Sequence, residues 1–273
     1  MKTLILLASL LLTSTTLAGH SYYPQSFQDI LDEDSLSNEE LRAEIKKVLK
    51  SSHERHSNRP DTLGCNGSSC FSNINLGYKG ARRHMFGNTE LGHLKKDDGT
   101  YYLVDVYCHK KFTSGSAGTI GPMSIPNSNM LNCEHTWPQS KFTRSDSRFQ
   151  KSDLHHLFPT DSKANSVRGN YDFGDVNGGK APTSNCSASQ SGRNRTYQPP
   201  REHRGNVARA MFYFAVRYDG KINAKMEDAL RRWHEDDPVD EAEIQRNNAV
   251  YSVQNNRNPF IDYPNLIHSI NNL

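Results

Sequence analysis

A glutamate and a histidine are adjacent at Glu134-His135, and an asparagine follows at Asn165 in a stretch with the composition of a short helix. Carboxylate and carboxamide oxygens are hard ligands of the kind that Mg²⁺ prefers. Two protein ligands leave open positions for water and for a phosphate oxygen, whose developing charge the ion can stabilise. A histidine that is neutral near pH 7 can take a proton from an attacking water. The three residue types, in this order, suit the hydrolysis of a phosphodiester bond.

The chain around these residues predicts a strand, a loop, a second strand and a short helix. Neighbouring side chains of a strand point to opposite faces. We therefore expect the first strand to twist where it ends, which would bring Glu134 and His135 to one pocket. The second strand is predicted over 152–159, and the short helix over 160–168 begins with polar residues that can cap it.

Elsewhere the pattern is mainly helical. Ser37 and Glu40 can form a capping box before a run of apolar residues at helical spacing. The segment 19–34 is expected to be an arm or loop, and 174–200 a surface excursion. Further helices are predicted over 78–86 and 205–218 and after Asn223 and Pro238, and a strand over 101–107. The predicted fold class is α+β, with few strands.

The composition excludes several classes of protein. Apolar residues make up 34% of the 273 residues, which is low, but 11 Phe and 12 Tyr supply material for a core. Full disorder is therefore not expected, because disordered chains are poor in aromatic residues. The 18 glycines and 12 prolines exclude collagen-like and low-complexity chains. A net charge of +3 does not by itself indicate a nucleic-acid partner, since the whole-chain balance hides any local patch.

The first 18 residues have the pattern of a secretory signal peptide. Lys2 supplies a positive charge, residues 4–12 are apolar, and small residues lead to Ala18. The apolar run is shorter than the roughly 20 residues that a spanning helix needs. We therefore expect cleavage after Ala18, export to the periplasm or the medium, and no membrane anchor.

The cysteines support an oxidising compartment, where disulfides persist. Their number is five, so at least one is free or pairs with another chain. The close spacing of Cys65 and Cys70 predicts a disulfide between them. A zinc site is the competing interpretation, but the chain has no second close pair to complete four ligands.

Three motifs, in order along the chain, resemble the bacterial endonuclease I family. They are EHTWPQS at 134–140, SDLHHLFPTD at 152–161 and ANSVRGNYDFG at 164–174. The resemblance extends upstream through ARRHMFG and YLVDVYC and downstream through RGNVARAMFYF and QNNRNPFID, and so covers most of the chain after about residue 78. Members of this family are secreted or periplasmic nucleases of the His-Me finger type, also called ββα-metal nucleases.

The resemblance implies a role for each site residue. His135 matches the general base, and Glu134 and Asn165 match the two protein ligands of the metal. The implied ion is Mg²⁺, with Mn²⁺ or Ca²⁺ as substitutes. The family also uses an arginine to hold the scissile phosphate, and we select Arg148 as that catalytic residue. The other candidates are Arg144 and Arg168.

These features predict a secreted, sequence-nonspecific endonuclease that cuts DNA, with RNA as an alternative substrate, through contacts to the phosphate backbone. We expect a monomer with a signal peptide at 1–18, a helical extension at 19–60 and a catalytic domain at 61–273. One alternative is a polyanion-binding module with a structural metal, which a damaged Glu-His…Asn set would indicate. Another is a zinc hydrolase at His155-His156, but adjacent histidines lack the i, i+4 spacing of a helical zinc motif.

Overall fold

The computed structural model describes residues 20–115 and 117–273, so the predicted signal peptide lies outside the described residues. Helices and small sheets are mixed, which confirms the α+β class. In the described part of the chain, no helix is both long and apolar enough to cross a bilayer. The α-helices are α1 Gln25–Asp32, α2 Asn38–Lys50, α3 Gly77–Gly87, α4 Ser147–Ser152, α5 Ser162–Arg168, α6 Arg204–Tyr218, α7 Ala224–Asp236, α8 Glu241–Gln254 and α9 Pro259–Asp262.

The strands are short. They are β1 His53–Glu54, β2 Thr62–Leu63, β3 Cys70–Phe71, β4 Leu94–Asp97, β5 Thr100–Val104, β6 Lys111–Thr113, β7 Leu131–His135, β8 Leu157–Asp161, β9 Asp172–Phe173, β10 Gln190–Ser191 and β11 Thr196–Gln198. Over the described residues they form four small sheets. One has the order β2-β1-β3, one is the antiparallel meander β4-β5-β6, one is the antiparallel pair β7-β8, and one has the order β10-β11-β9.

Helix α6 lies at the centre of the larger core. Every residue from Val207 to Tyr218 is buried, as expected for a helix surrounded on all sides. Helix α2 packs against it with the apolar residues that the sequence pattern places on one face. Helix α1 occupies the segment predicted to be an arm or loop, and its Phe27 belongs to the same core. A smaller core forms under the β4-β5-β6 meander and α3.

Two cysteine pairs lie at disulfide distance. Cys65 pairs with Cys70, which confirms the prediction, and Cys108 pairs with Cys186. Cys133 is free and buried. The segment 174–200 lies mostly at the surface, as predicted, but it also carries β10 and β11 and buries Cys186 and Tyr197. It is therefore tied into the core by a crosslink that the sequence did not reveal.

We expect mass spectrometry of the unreduced exported protein to find the peptides of Cys65 and Cys70 linked, and those of Cys108 and Cys186 linked. Cys133 should react with an alkylating reagent only after unfolding, because its side chain is 3% exposed. Rapid alkylation of Cys133 in the native protein, or a crosslink that includes it, would contradict this arrangement.

Buried histidines, among them His155, His156 and His203, make stability depend on pH. Burial lowers the pKa of His203 to about 3 and that of His155 and His156 to about 4. The unfolded chain binds protons at these residues below about pH 6.5, whereas the folded chain does not until nearer pH 4. Stability should therefore fall as the pH is lowered from 7 towards 4.

We expect the free energy of unfolding to be lower at pH 5 than at pH 7, measured by urea unfolding. His203→Phe should flatten this dependence by up to about 1.4 kcal/mol per pH unit, because one proton no longer distinguishes the two states. The substitution is suitable because no described residue hydrogen-bonds to His203 Nε2, and the ring packs edge-on against Phe158. An unchanged slope in the variant would show that His203 is not held neutral.

Candidate active site

Strands β7 and β8 run antiparallel, and α5 follows β8 without a break. The predicted short helix is confirmed, and Asp161 caps it by accepting hydrogen bonds from the backbone N–H of Lys163 and Ala164. Helix α5 returns over β7, where the Asn165 Nδ2 donates to the Cys133 carbonyl at 3.4 Å. As predicted, Glu134 and His135 end the first strand.

The second strand differs from its prediction. The region 152–156 is the end of α4 and a 3-10 turn, and only the part from Leu157 onward is strand. The side chain of Asp153 accepts a hydrogen bond from the backbone N–H of His155, which stabilises this turn. A polar side chain that bonds its own backbone competes with the ladder of a sheet. The strand therefore begins four residues after Asp153.

Glu134, His135 and Asn165 line one cavity of about 550 Å³. Glu134 and His135 both reach it because they stand at the last two positions of β7. The structure therefore brings together the three residues that the sequence pattern selects. Its other lining residues include Tyr78, Gln139 and Arg168.

The Glu134 carboxylate is buried and has two partners among the described residues. Its Oε1 accepts a hydrogen bond from the Tyr107 hydroxyl at 2.7 Å and lies 2.8 Å from Nη1 of Arg168. Burial raises the pKa of this carboxyl, and Arg168 and the Tyr107 hydroxyl oppose that shift. The Arg168 cation thus compensates a carboxylate that would otherwise be a costly isolated charge.

Arg168 is itself fixed by the strand it faces. Its Nη1 donates to the His135 carbonyl at 2.9 Å and its Nη2 to the Thr136 carbonyl at 2.6 Å. The guanidinium also lies 4.4 Å from the centre of the Phe173 ring. With a carboxylate, two carbonyls and an aromatic ring around it, this side chain connects the end of α5 to the end of β7.

The His135 imidazole is held at both nitrogens. Its Nε2 lies 3.2 Å from the Lys151 carbonyl, and the Gln139 amide lies 3.3 Å from Nδ1. A carbonyl can only accept, so Nε2 carries the hydrogen and Nδ1 holds the lone pair. Burial, and after it the neighbouring His156, lowers the pKa of His135 to about 3. The ring is therefore neutral near pH 7, and its proton acceptor is Nδ1, whose lone pair accepts the weak hydrogen bond from the Gln139 amide.

The oxygen donors fit a hard divalent ion. Among the described residues, hydrogen bonds to the Glu134 carboxylate fall on Oε1 and leave Oε2, while Asn165 uses Nδ2 and leaves Oδ1. No group of three or more His, Cys, Asp or Glu within 20–115 and 117–273 has an arrangement that could hold a metal. An ion at Glu134 and Asn165 would therefore take most of its ligands from water and substrate, as Mg²⁺ commonly does.

The arginine selected from the sequence lies elsewhere. Arg148 is exposed on α4 and is not among the residues that line the cavity, and Arg144 is exposed as well. Arg168 lines the cavity but is engaged by Glu134. The role of Arg148 stays a prediction. His155 and His156 are buried, with Nε2 at 3.1 Å from the Asn256 carbonyl and 2.6 Å from the Gln150 carbonyl respectively.

Sequence reasoning missed Tyr107 and Gln139 as partners of the site, and it did not assign Arg168 to Glu134. Tyr107 is 27 residues from Glu134 in the chain. Gln139 is four residues after His135 and lies within the motif at 134–140, so it was easier to predict than Tyr107. A polar residue shortly after a candidate base is the signal that could have indicated it.

Residues 71–265 match the sequence profile of the Endonuclease I family. The match covers well over half of the chain, so the chain belongs to this family. The family relationship agrees with the motifs around β7, β8 and α5.

Individual relatives are similar over shorter stretches. The extracellular ribonuclease of Bacillus subtilis is 37% identical over 155 residues, which is 49% of this chain and 51% of the relative. An extracellular deoxyribonuclease of Aeromonas hydrophila is 33% identical over 113 residues, 41% of this chain and 49% of the relative. Endonuclease-1 of Buchnera aphidicola is 28% identical over 111 residues, which is 41% of this chain and 44% of the relative. The chain spans about half the length of the curated relatives it matches.

Proposed function

We propose that this protein is an exported, sequence-nonspecific, Mg²⁺-dependent endonuclease that hydrolyses phosphodiester bonds of DNA. The observation that carries the proposal is that Glu134, His135 and Asn165 line one cavity. Membership of the Endonuclease I family, whose nucleases are metal-dependent in general, supports it. In this proposal β7, β8 and α5 form the ββα unit of a His-Me finger.

His135 acts as the general base. Its Nδ1 takes a proton from a water, and the water oxygen bonds to phosphorus while the bond to the 3′ oxygen breaks, which leaves a 5′-phosphate and a 3′ oxygen that takes up a proton from solvent. The Lys151 carbonyl accepts a hydrogen bond from Nε2 and so stabilises the imidazolium that forms. Gln139, at 3.3 Å from Nδ1, restrains the orientation of the ring.

Glu134 Oε2 and Asn165 Oδ1 are the oxygens that would hold Mg²⁺. When bound, the ion supplies stabilisation of the charge on the phosphate and on the leaving oxygen. Arg168 and Tyr107 keep the Glu134 carboxylate in place. Arg148 is proposed as the arginine that contacts the phosphate.

Substrate binding is proposed to rest on the phosphate backbone, which carries no base information directly. Tyr78 lines the cavity with two cations beside its ring: Lys151 Nζ lies 4.8 Å from the ring centre, and the Arg82 guanidinium 5.3 Å. These charges flank the approach to His135, whose ring centre is 5.5 Å from that of Tyr78. RNA is a second proposed substrate, because the similar protein of Bacillus subtilis is named an extracellular ribonuclease.

The remaining features of the proposal concern the whole protein. Extracellular and periplasmic deoxyribonucleases of Aeromonas hydrophila are among its relatives, which supports export. We propose that the protein acts as a monomer, with 19–60 as an N-terminal extension of a catalytic domain at 61–273.

The test is cleavage of plasmid DNA and of RNA by protein exported from a nuclease-deficient host, with Mg²⁺ and with EDTA. We expect Mg²⁺-dependent conversion of supercoiled plasmid to nicked, linear and then heterogeneous fragments. His135→Ala, prepared in parallel, reports any contaminating nuclease. Cleavage that persists in EDTA would contradict the metal dependence, and a set of discrete fragments would contradict the lack of sequence preference.

A further inference from the structure

Tyr107 contacts the proposed metal ligand from outside the ββα unit. It follows β5, and its hydroxyl donates to Glu134 Oε1 at 2.7 Å. Tyr107 is 0% exposed and Glu134 is 1% exposed, so this hydrogen bond is shielded from bulk solvent. The bond joins the β4-β5-β6 region to the end of β7, the strand that carries Glu134 and His135.

The backbone of Tyr107 is held on both sides. Its N–H donates to Asp105 Oδ1 at 3.1 Å, and its carbonyl accepts a hydrogen bond from Ser189 Oγ at 2.7 Å. The same Asp105 oxygen accepts the backbone N–H of Asp161 at 3.2 Å, and Asp161 caps the helix that carries Asn165. One carboxylate therefore organises both the residue behind Glu134 and the start of α5.

The segment 174–200 contributes to this anchoring. Ser189 belongs to it, and Cys186 pairs with Cys108, the neighbour of Tyr107. The ring of Tyr107 packs against Tyr197, with the ring centres 4.8 Å apart. A segment without an evident role in the sequence thus encloses Tyr107 within the fold.

We infer that Tyr107 is a positioning residue that fixes the Glu134 carboxylate with Oε2 available to the divalent ion. The inference rests on the proposed function, which makes Glu134 a metal ligand. Tyr107 and Arg168 both engage Oε1, so the carboxylate is oriented before an ion arrives. Groups that hydrogen-bond a metal ligand commonly change metal affinity or activity by 10–100-fold when they are removed.

Tyr107 is a cleaner test than Arg168. The guanidinium of Arg168 also bonds the His135 and Thr136 carbonyls, so its removal would disturb the strand. Tyr107→Phe removes one hydroxyl and keeps the ring in its packing. Tyr197→Phe is a matched control, because Tyr197 is equally buried beside Tyr107 and its hydroxyl makes no hydrogen bond to the Glu134 carboxylate.

The experiment measures Mn²⁺ binding to the whole exported protein, from the electron paramagnetic resonance signal of the free ion. We expect Tyr107→Phe to bind Mn²⁺ about 10–100-fold more weakly than the unsubstituted protein, and Tyr197→Phe to bind it equally well. Ser189→Ala, which releases the Tyr107 carbonyl, should weaken binding in the same direction by a smaller factor. Turnover of Tyr107→Phe should recover at saturating metal, whereas a merely structural defect would not respond.

Glu134→Gln separates the two ways in which this result could fail. If Glu134→Gln loses Mn²⁺ and Tyr107→Phe binds as the unsubstituted protein does, the positioning role of Tyr107 is wrong and the metal assignment stands. If Glu134→Gln also binds Mn²⁺ normally, Glu134 is not a ligand and the proposed function fails at its metal site. Should Tyr107→Phe not fold, Ser189→Ala decides the question, and unaltered affinity there overturns the inference.

Discussion

His135→Ala is expected to lower the turnover of plasmid DNA by about 10²–10⁴-fold, which corresponds to about 3–5 kcal/mol of barrier. The variant lacks the proposed base, but it keeps the cations beside Tyr78 that are proposed to contact the phosphate backbone. DNA binding should therefore stay nearly unchanged, measured by fluorescence anisotropy with the metal omitted. Added Mg²⁺ should not restore turnover, because the defect lies in proton transfer and not in metal affinity.

Two comparisons make this result specific to the base. His268→Ala removes an exposed histidine that pairs with Glu235 at the surface, and it should keep full activity. Imidazole added to His135→Ala can enter the space left by the ring. It should recover part of the turnover, in proportion to the concentration of neutral imidazole. A His135→Ala protein that cleaves plasmid at a near-normal rate would show that the base has been assigned to the wrong residue.

Local patterns predicted the elements that carry the site. The strand ending at Glu134-His135 and the helix carrying Asn165 follow from short runs of residues, and the cap at Asp161 is formed by the two backbone N–H groups that follow it closely. The long buried helix α6 was similarly evident from a stretch rich in apolar residues. Such signals are local, because helix periodicity and capping depend on residues only a few positions apart.

The remaining parts of the site depend on contacts between distant segments. Cys108 and Cys186 are 78 residues apart, and the sequence does not encode which cysteines pair. Tyr107 meets Glu134 only when the region after β5 packs behind β7. The sequence makes Arg168 one candidate for the phosphate contact, but the return of α5 over β7 places it against Glu134. In each case a chemically versatile residue acquires its role from its neighbours in space.

Glu134→Gln is expected to have two large effects that can be separated. It removes the charged ligand of the proposed metal site. The loss of Mn²⁺ affinity should therefore be larger in Glu134→Gln than in Asn165→Ala, which loses only a neutral amide. It also leaves the Arg168 cation buried without its carboxylate, since both side chains are 2% exposed. Breaking a buried ion pair in this way costs about 3–5 kcal/mol of folding free energy.

Asp262 provides a matched control for the stability effect. Its carboxylate accepts a hydrogen bond from the Tyr23 hydroxyl at 2.7 Å and pairs with the buried Arg257 at 2.7 Å, as Glu134 does with Tyr107 and Arg168. Asp262 does not line the site cavity. Asp262→Asn should therefore lower the free energy of unfolding by a similar amount and leave Mn²⁺ affinity unchanged.

The double variant Glu134→Gln with Arg168→Gln completes the separation. Removing both charges should destabilise the protein by less than the sum of the single variants, by a coupling energy of about 0.5–3 kcal/mol. Metal binding should not return, because the carboxylate is still missing. Urea unfolding and Mn²⁺ titration of the four proteins measure the two effects independently. If stability and Mn²⁺ affinity were restored together in the double variant, the weak binding of Glu134→Gln would reflect a damaged fold, and Glu134 would not be a metal ligand.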